Sequence, residues 1–493
     1  MQKRKRVSLR TRLAAALTAL LLASCGGGGG NPGICLGSTQ VCNPGSSSGS
    51  ATGAAGGNGS GILSPDIPSE TVAGICTAAS EKQFVRSYLN EAYLWTDEIG
   101  TVDATPYTAA GYFYQLLVTT PDTHGLPKDR FSYVLTRTNA DSLTSGASLG
   151  YGVDWVIDAQ GRTRVAKVAA GSPADLAGLA RGGELGSVVS ASQNSWYPNT
   201  AGAFVTFNYR DAPGLPLRLI ALTAAPLQEN PVPLTSTVLS PQGRRVGYVL
   251  FNAHTAGAQD KLVSALSALN AGRVDDLVLD LRYNGGGYLY VALSLASMLA
   301  SPASDGQVFE RLQFNSKRTE ASQANVTRFA GTVQYGEPQY PVGTALPRLG
   351  LPRVYVLTTG GTCSASESVI NGLRGVNVEV VLVGATTCGK PYGFTRADNC
   401  SLAYYPIEFQ GFNARDFGDY STGFAATCPA ADDLGHALGD PAEGLLGIAL
   451  RHADTGACSP STALALSQRA ATAGAPQGLV LDIQRHRPGK LLP

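Results

Sequence analysis

The sequence lacks the features of several classes of protein. No two of its nine cysteines are separated by two residues, which argues against a zinc site of the finger or ribbon type. Basic and acidic residues nearly balance, at 37 and 36, and no basic stripe follows the amino-terminal segment. The triplet Gly285–Gly287 fails the dinucleotide-binding pattern, because Tyr290 stands where the last glycine is required. We therefore expect no metal, no cofactor and no nucleic-acid partner.

Residues 1–24 have the pattern of an export signal. Six basic residues and no acidic residue precede the apolar run Leu13–Ala23, which is too short to span a bilayer. Leu22-Ala-Ser-Cys25 resembles the lipobox of bacterial lipoproteins, in which the cysteine is acylated, and we predict a lipid anchor to the membrane at Cys25. The predicted location is the bacterial cell envelope, at the outer membrane and facing the periplasm or the surface. The alternative is a soluble secreted protein whose cysteine lies near the cleavage site by chance.

The rest of the chain divides into five segments by composition and pattern. Glycine and serine dominate as far as Ser60 and predict a flexible tether. Apolar stripes across Glu81–Trp95 and Tyr107–Val118 predict two helices. The predicted segments are a tether at 25–75, a helical amino-terminal region at 76–145, a β-rich domain at 146–226, a catalytic core at 227–458 and a carboxyl-terminal tail at 459–493.

One pair of residues points to covalent catalysis. Ser364 lies in Thr362-Cys-Ser-Ala-Ser-Glu367, and Lys390 follows in the next loop. A serine hydroxyl needs an adjacent base, and a lysine amine serves as one when burial keeps it neutral. Apolar runs at 354–357 and 378–383 predict strands on either side of a helix that begins at Ser364. Because a βαβ unit puts the carboxyl ends of both strands on one edge, we expect Ser364 and Lys390 on the same rim.

Backbone N–H groups on this rim can stabilise a negatively charged oxygen. The N–H of Ala365 would lie at the start of the helix, where the helix dipole adds to the hydrogen bond. The predicted strand Asp276–Leu281 ends before the glycine triplet, so Gly286 or Gly287 can supply a second N–H group. A plain strand-to-helix turn is the alternative interpretation of the triplet.

Three motifs in order resemble the carboxyl-terminal processing, or tail-specific, serine protease family. They are Asp280-Leu-Arg-Tyr-Asn-Gly-Gly-Gly287, Ser364-Ala-Ser-Glu367 and Thr387-Cys-Gly-Lys390. The resemblance implies an α+β multidomain fold with a helical amino-terminal region, a PDZ-like β-rich domain and an α/β catalytic core of βαβ units, similar to ClpP and crotonase. The implied site residues are Ser364 as the nucleophile, Lys390 as the base, Ala365 with Gly286 or Gly287 as the oxyanion donors, and Asp280, Arg282 and Glu367 as supporting groups.

Residues 146–226 resemble the PDZ domain of this family, in which a loop binds the carboxylate of a peptide. Successive N–H groups near Gly150 to Gly152 can hold a terminal carboxylate, and Val153–Ile157 offers an edge for strand addition. The alternative is that the glycines only turn a hairpin. We expect a protein or peptide substrate with an accessible carboxyl-terminal tail. The candidate peptide-binding residues are Leu149, Gly150, Tyr151, Gly152 and Val153.

Two observations leave alternatives open. Phe394 stands four residues after the lysine, where the family has a polar residue that orients it, so the partner that orients Lys390 is not identified. A catalytically inactive relative that binds peptides or an apolar ligand is therefore an alternative. His436 is an alternative base, because the members of a catalytic triad come from arbitrary sequence positions. Neither His254 nor His436 has a recognised spacing from Ser364, and both are expected to be ordinary surface or rim residues.

The cysteines predict disulfide bonds in an oxidising compartment, because an even number remains once Cys25 carries the lipid. A bond between Cys363 and Cys388 would join the loops of the proposed nucleophile and base, and Cys388 to Cys400 is the rival pairing. The other candidate pairs are Cys35 with Cys42 and Cys428 with Cys458.

Overall fold

A computed structural model of the chain describes residues 61–192, 198, 200–458 and 490–491. The predicted export signal, the lipid site at Cys25, the pairing of Cys35 with Cys42, and most of the tether and of the tail lie outside these residues. No helix in the described ranges is long and apolar enough to cross a membrane.

The described chain contains both α-helices and β-strands. The α-helices are α1 Ala78–Ala92, α2 Ala109–Gln115, α3 Arg137–Ser145, α4 Pro173–Leu176, α5 Ala258–Ala271, α6 Leu289–Leu299, α7 Thr319–Ala324, α8 Ala365–Gly375 and α9 Gly444–Thr455. The first strands are β1 Tyr133–Thr136, β2 Ala147–Gly150, β3 Val153–Ile157, β4 Thr163–Val168, β5 Glu184–Ala191, β6 Phe204–Arg210, β7 Arg218–Thr223, β8 Ala225–Gln228, β9 Leu234–Leu239, β10 Arg245–Leu250 and β11 Asp276–Asp280. The later strands are β12 Val308–Phe314, β13 Val326–Arg328, β14 Arg353–Thr358, β15 Glu379–Gly384, β16 Tyr392–Phe394, β17 Ala397–Asn399, β18 Leu402–Tyr405, β19 Phe409–Phe412, β20 Cys428–Pro429 and β21 Lys490–Leu491.

A six-stranded sheet forms the centre of the catalytic region, in the order β20-β15-β14-β11-β10-β9. The strands from β20 to β10 are parallel, and β9 pairs antiparallel with β10 at the edge. Apolar residues of α5, α6 and α8 cover one face, and those of α9 cover the other. Helix α8 connects β14 to β15, which confirms the predicted βαβ unit and the α+β class of the fold. The carboxyl ends of β11, β14 and β15 therefore share one rim.

Residues 147–228 form the predicted β-rich region. Strands β3 to β7 make one antiparallel sheet in sequence order, and β2 pairs with β8. Among the residues that the structure describes between β3 and β7, the only helix is the single turn of α4. Strand β3 stands at the end of the order β3-β4-β5-β6-β7 and is therefore an edge strand of this sheet as the described residues form it. The PDZ assignment itself stays a prediction.

The amino-terminal region packs against a distant part of the chain instead of folding alone. Strand β1 pairs with β18, and Tyr93 and Phe113 share one apolar cluster with Phe394 and Tyr405. A disulfide between Cys76 and Cys400 closes this contact, so the rival pairing of Cys400 with Cys388 is wrong.

The structure also shortens the predicted tether. Leu63 and Val72 pack against the apolar cluster of the amino-terminal region, and the N–H of Ser69 donates to Glu91 of α1 over 2.7 Å. Apolar side chains in a segment that is otherwise rich in small residues explain why it docks. The prediction of a flexible segment as far as residue 75 is therefore wrong for residues 61–75.

Candidate active site

Ser364 lies at a sharp turn between β14 and α8. It is the N-cap residue of α8, and its backbone has φ 60° and ψ −113°, which is unusual for any residue other than glycine. Conformations of this kind cost about 1–3 kcal/mol and are concentrated at functional sites. The side chain is fully buried, and its Oγ makes no hydrogen bond to any other described residue. The hydroxyl is therefore held in a buried position.

Glu367 joins the segment of Ser364 to that of Lys390. Its Oε2 accepts hydrogen bonds from the N–H of Ser364 at 2.9 Å and from the N–H of Lys390 at 2.8 Å. Its Oε1 accepts from the N–H of Gly389 at 2.9 Å and from the hydroxyl of Thr387 at 2.5 Å. Burial raises the pKa of Glu367, and these hydrogen bonds oppose the rise because they favour the carboxylate. One buried carboxyl group thus fixes both loops.

A disulfide between Cys363 and Cys388 adds a covalent connection, and this pairing confirms the prediction. The two Cα atoms are 5.2 Å apart. The bond between Cys428 and Cys458 is confirmed as well. The loops of Ser364 and Lys390 are therefore connected twice. The carboxylate of Glu367 binds the backbone of both residues, and the disulfide links their loops covalently.

Lys390 is buried beneath aromatic rings, with 5% of its surface exposed. Its Nζ lies 4.3 Å from the ring centre of Phe394 and 5.1 Å from that of Phe131. Arg130 holds the adjacent loop, because its guanidinium donates to the carbonyl of Gly389 at 3.1 Å. Phe394 thus restricts the space around the amine. Sequence reasoning missed Phe131 and Arg130, which come from a segment more than 250 residues away.

The glycine triplet lies directly against the nucleophile. A Cβ on Gly286 would lie 2.9 Å from the N of Ala365 and 3.0 Å from the Cβ of Ser364, so only glycine fits there. The N–H of Gly286 already donates to Asn284 Oδ1 at 3.0 Å. Among the described residues, the N–H groups of Gly287 and Ala365 have no hydrogen-bond acceptor. These two groups are therefore the free donors beside Ser364.

His254 is a buried residue beside the glycine triplet on the rim, so the prediction of a surface position is wrong for it. The side chain is fully buried, and burial lowers its pKa to about 3. Its Nδ1 lies 3.1 Å from Asn284 Oδ1, and its backbone N–H donates to the carbonyl of Gly286 at 3.1 Å. The neutral imidazole thus helps to hold the glycine triplet. His436 is at the surface as predicted, with its Nδ1 2.7 Å from Asp433.

Asp280 and Arg282 belong to a buried ionic network below the triplet. Arg282 is fully buried and donates to Asp280 at 2.8 Å, and it also donates to Glu443 at 2.9 Å and to Asp432 at 2.6 Å. Arg181 of the β-rich region reaches the same Asp432 at 2.7 Å. The two guanidinium groups hold the pKa of Asp432 well below its usual range. Sequence reasoning missed Arg181, Asp432 and Glu443 as members of this network, because they lie far along the chain from Arg282.

The predicted peptide-binding residues surround one turn. Leu149 and Gly150 end β2, and Val153 begins β3. Between them, the N–H groups of Tyr151 and Gly152 have no acceptor among the described residues. Gly152 has φ 74°, and a Cβ there would lie 2.2 Å from that of Ser172. The turn therefore presents two adjacent free donors, as a carboxylate site requires.

Comparisons with known proteins find similar sequences and a similar fold among peptidases. Residues 245–398 match the model of peptidase family S41, and residues 80–133 match that of the peptidase S41 N-terminal domain. Carboxyl-terminal-processing peptidase 3, chloroplastic, of Arabidopsis thaliana is 27% identical over 287 residues, which are 53% of this chain and 50% of that protein. The chain thus spans half the length of this relative. The crystal structure of a Bacteroides fragilis protein assigned to the S41 proteases has the same fold, with a TM-score of 0.59 and 24% identity over 76% of this chain and 97% of that one.

Proposed function

Because residues 245–398 and 80–133 match the models of peptidase family S41 and of the peptidase S41 N-terminal domain, we propose that the chain is a serine-type endopeptidase of this family. We propose further that it is exported and lipid-anchored and that it cuts protein or peptide substrates near their carboxyl-terminal tails. The observation that carries the proposal is the joint placement of Ser364 and Lys390. Glu367 binds the backbone of both residues, and the disulfide from Cys363 to Cys388 links their loops. Such preorganisation is what a nucleophile and its base need.

The proposed reaction is an acyl transfer in two stages. The neutral amine of Lys390 takes the proton of the Ser364 hydroxyl as Oγ attacks the substrate carbonyl carbon. The N–H groups of Ala365 and Gly287 stabilise the resulting oxyanion, an effect typically of about 3 kcal/mol per donor. The ammonium of Lys390 then protonates the leaving amine, and an ester on Ser364 is left. A water molecule, deprotonated by Lys390, then attacks this ester. The bond between the acyl carbon and Oγ breaks, the ammonium of Lys390 returns the proton to Oγ, and the new carboxyl terminus is released.

Substrate selection is proposed to rest on the turn between β2 and β3. The N–H groups of Tyr151 and Gly152 would bind a terminal carboxylate, and the edge strand β3 would pair with the residues before it. A lipid on Cys25 would hold the enzyme at a membrane of the bacterial cell envelope. These assignments place the substrate tail in the β-rich region and the scissile bond at the rim of the central sheet.

Cleavage of an unstructured protein that ends in small apolar residues tests the proposal. We expect the wild-type protein to cut it, and Ser364→Ala and Lys390→Ala to be inactive. Ser401→Ala serves as the matched control, because Ser401 is exposed. Persistent cleavage by Ser364→Ala would overturn the assignment. A folded wild-type protein that binds the substrate but does not cut it would favour an inactive, peptide-binding relative instead, for which the aromatic residue Phe394 is the structural argument.

A further inference from the structure

The chain's own carboxyl-terminal residues lie beside the segment of the proposed base. Strand β16 begins two residues after Lys390, and on one side it pairs antiparallel with β19. On its other side it pairs in parallel with β21, in the register Gly393 to Lys490 and Phe394 to Leu491. A strand from the end of the sequence therefore closes the edge of this sheet.

The hydrogen bonds between β16 and the chain around β19 show which backbone groups of β16 point toward β21. The carbonyl of Gly393 accepts from the N–H of Glu408 at 2.8 Å, and that of Pro391 accepts from Gly411 at 2.9 Å. Both carbonyls thus face β19. Because backbone groups alternate in direction along a strand, those of Tyr392 and Phe394 face the opposite edge. Without β21, this edge would be a short unpaired strand next to the catalytic amine.

We propose that the edge of β16 is a docking strand for extended peptides and that the tail segment Lys490–Leu491 occupies it as an internal competitor. The proposal deepens the proposed function and rests on it, since the competing ligand is the substrate. Addition of a strand to an exposed edge is a common mode of peptide recognition, in which main-chain hydrogen bonds supply the affinity. The observed pairing shows that the edge accepts a parallel strand.

The parallel direction defines which part of a substrate this edge would hold. Strand β16 runs away from Lys390, and β21 runs in the same direction. Strand β21 therefore runs from Lys490 to Leu491 in the direction that leads away from the amine. A substrate in this register would place the residues that follow its scissile bond along β16. The docked tail is thus equivalent to the carboxyl-terminal fragment that the enzyme releases, and it competes with the substrate for the same edge.

Steady-state kinetics of three forms test the proposal. They are the full chain, a chain that ends at Gly489, and a full chain with Lys490→Pro and Leu491→Pro, in which the tail keeps its length but loses two N–H donors. A tethered segment has an effective concentration of about 1 mM, so with a Kd of about 0.1 mM its loss should lower KM about tenfold. We expect this fall in both altered forms, with kcat unchanged. An equal KM in all three forms would overturn the proposal.

A synthetic peptide of residues 484–493 provides a second measurement. We expect it to inhibit the shortened chain competitively, whereas a scrambled peptide and a peptide N-methylated at Lys490 and Leu491 should not. Equal inhibition by the N-methylated peptide would show that the peptide does not bind through backbone hydrogen bonds, and would overturn the proposal.

If none of the three forms cleaves the substrate, the proposed function fails. The docking proposal is then tested alone, by fluorescence anisotropy of the labelled peptide with the shortened Ser364→Ala chain. Binding that N-methylation abolishes supports it, and absence of binding overturns it.

Discussion

Cys363 and Cys388 are joined by a disulfide, which ties the residue before the proposed nucleophile to the loop of the proposed base. Glu367 also binds the loop of the proposed base, so hydrogen bonds and the disulfide connect the same two loops. Replacement of both cysteines by serine should lower stability by about 2–4 kcal/mol and kcat by about tenfold, because Lys390 gains freedom. Urea unfolding and kinetics measure the two effects. The matched control removes Cys428 and Cys458, which should reduce stability and leave kcat unchanged; an equal loss of kcat in both variants would contradict the account.

Glu367→Gln is expected to lower kcat by about a hundredfold or more. The glutamine amide has the same size as the carboxyl group. In wild type, both carboxylate oxygens accept hydrogen bonds from backbone N–H groups, whereas in the variant an NH₂ group, which cannot accept them, would replace one of these oxygens. Stability should also fall, by about 2–4 kcal/mol, because buried donors lose their acceptor. Glu320→Gln is the matched control at an exposed position. Unchanged kcat in the Glu367 variant would show that this carboxyl group does not position the two loops.

Phe394→Ala should reduce activity through hydration of the amine of Lys390. The ring lies 4.3 Å from Nζ and is fully buried, so its removal opens a cavity and should cost about 3–5 kcal/mol of stability. Phe394→Leu keeps most of the volume and should retain more activity at a smaller loss of stability. The kcat of Phe394→Ala and of Phe394→Leu, measured under conditions in which each variant is folded, separates the effect on the amine from the loss of stability. Equal activity of the alanine variant and wild type would mean that the ring does not confine the amine.

The buried His254 predicts a loss of stability at mildly acidic pH. Its pKa in the folded protein is about 3, below the value near 6.5 of an unfolded histidine. The unfolded state therefore binds more protons as the pH falls through 6.5, and the folded state loses stability until about pH 3. Between pH 7 and pH 5 the expected loss is about 2 kcal/mol. Urea unfolding at both pH values should show a smaller difference for His254→Gln than for wild type; equal differences would contradict a buried neutral imidazole.

Local patterns in the sequence predicted the part of the site that is formed by residues near one another in the sequence. The apolar runs around Ser364 gave the strand, helix and strand that place it on the rim, and the positions of Cys363 and Cys388 suggested their bond. These features depend on periodicity and on short loops, which are readable from one sequence.

Contacts between distant segments could not be predicted in the same way. Arg282 contacts Asp432 and Glu443, and Arg181 contacts the same Asp432, only because the fold brings together three regions of the chain. The partner of Cys400 was equally hidden, since eight cysteines allow 105 pairings. The two-residue strand β21 is too short to have a period. Position in space, and not local pattern, determines each of these contacts.

Active-site labelling tests the central claim most directly. A fluorophosphonate reacts with a serine only when a base activates its hydroxyl, and peptide mapping by mass spectrometry then identifies the modified residue. We predict a single label on Ser364 in the wild-type protein and labelling at least about a hundredfold slower in Lys390→Ala. A label on another residue, or labelling of Ser364 at the wild-type rate in Lys390→Ala, would contradict the account.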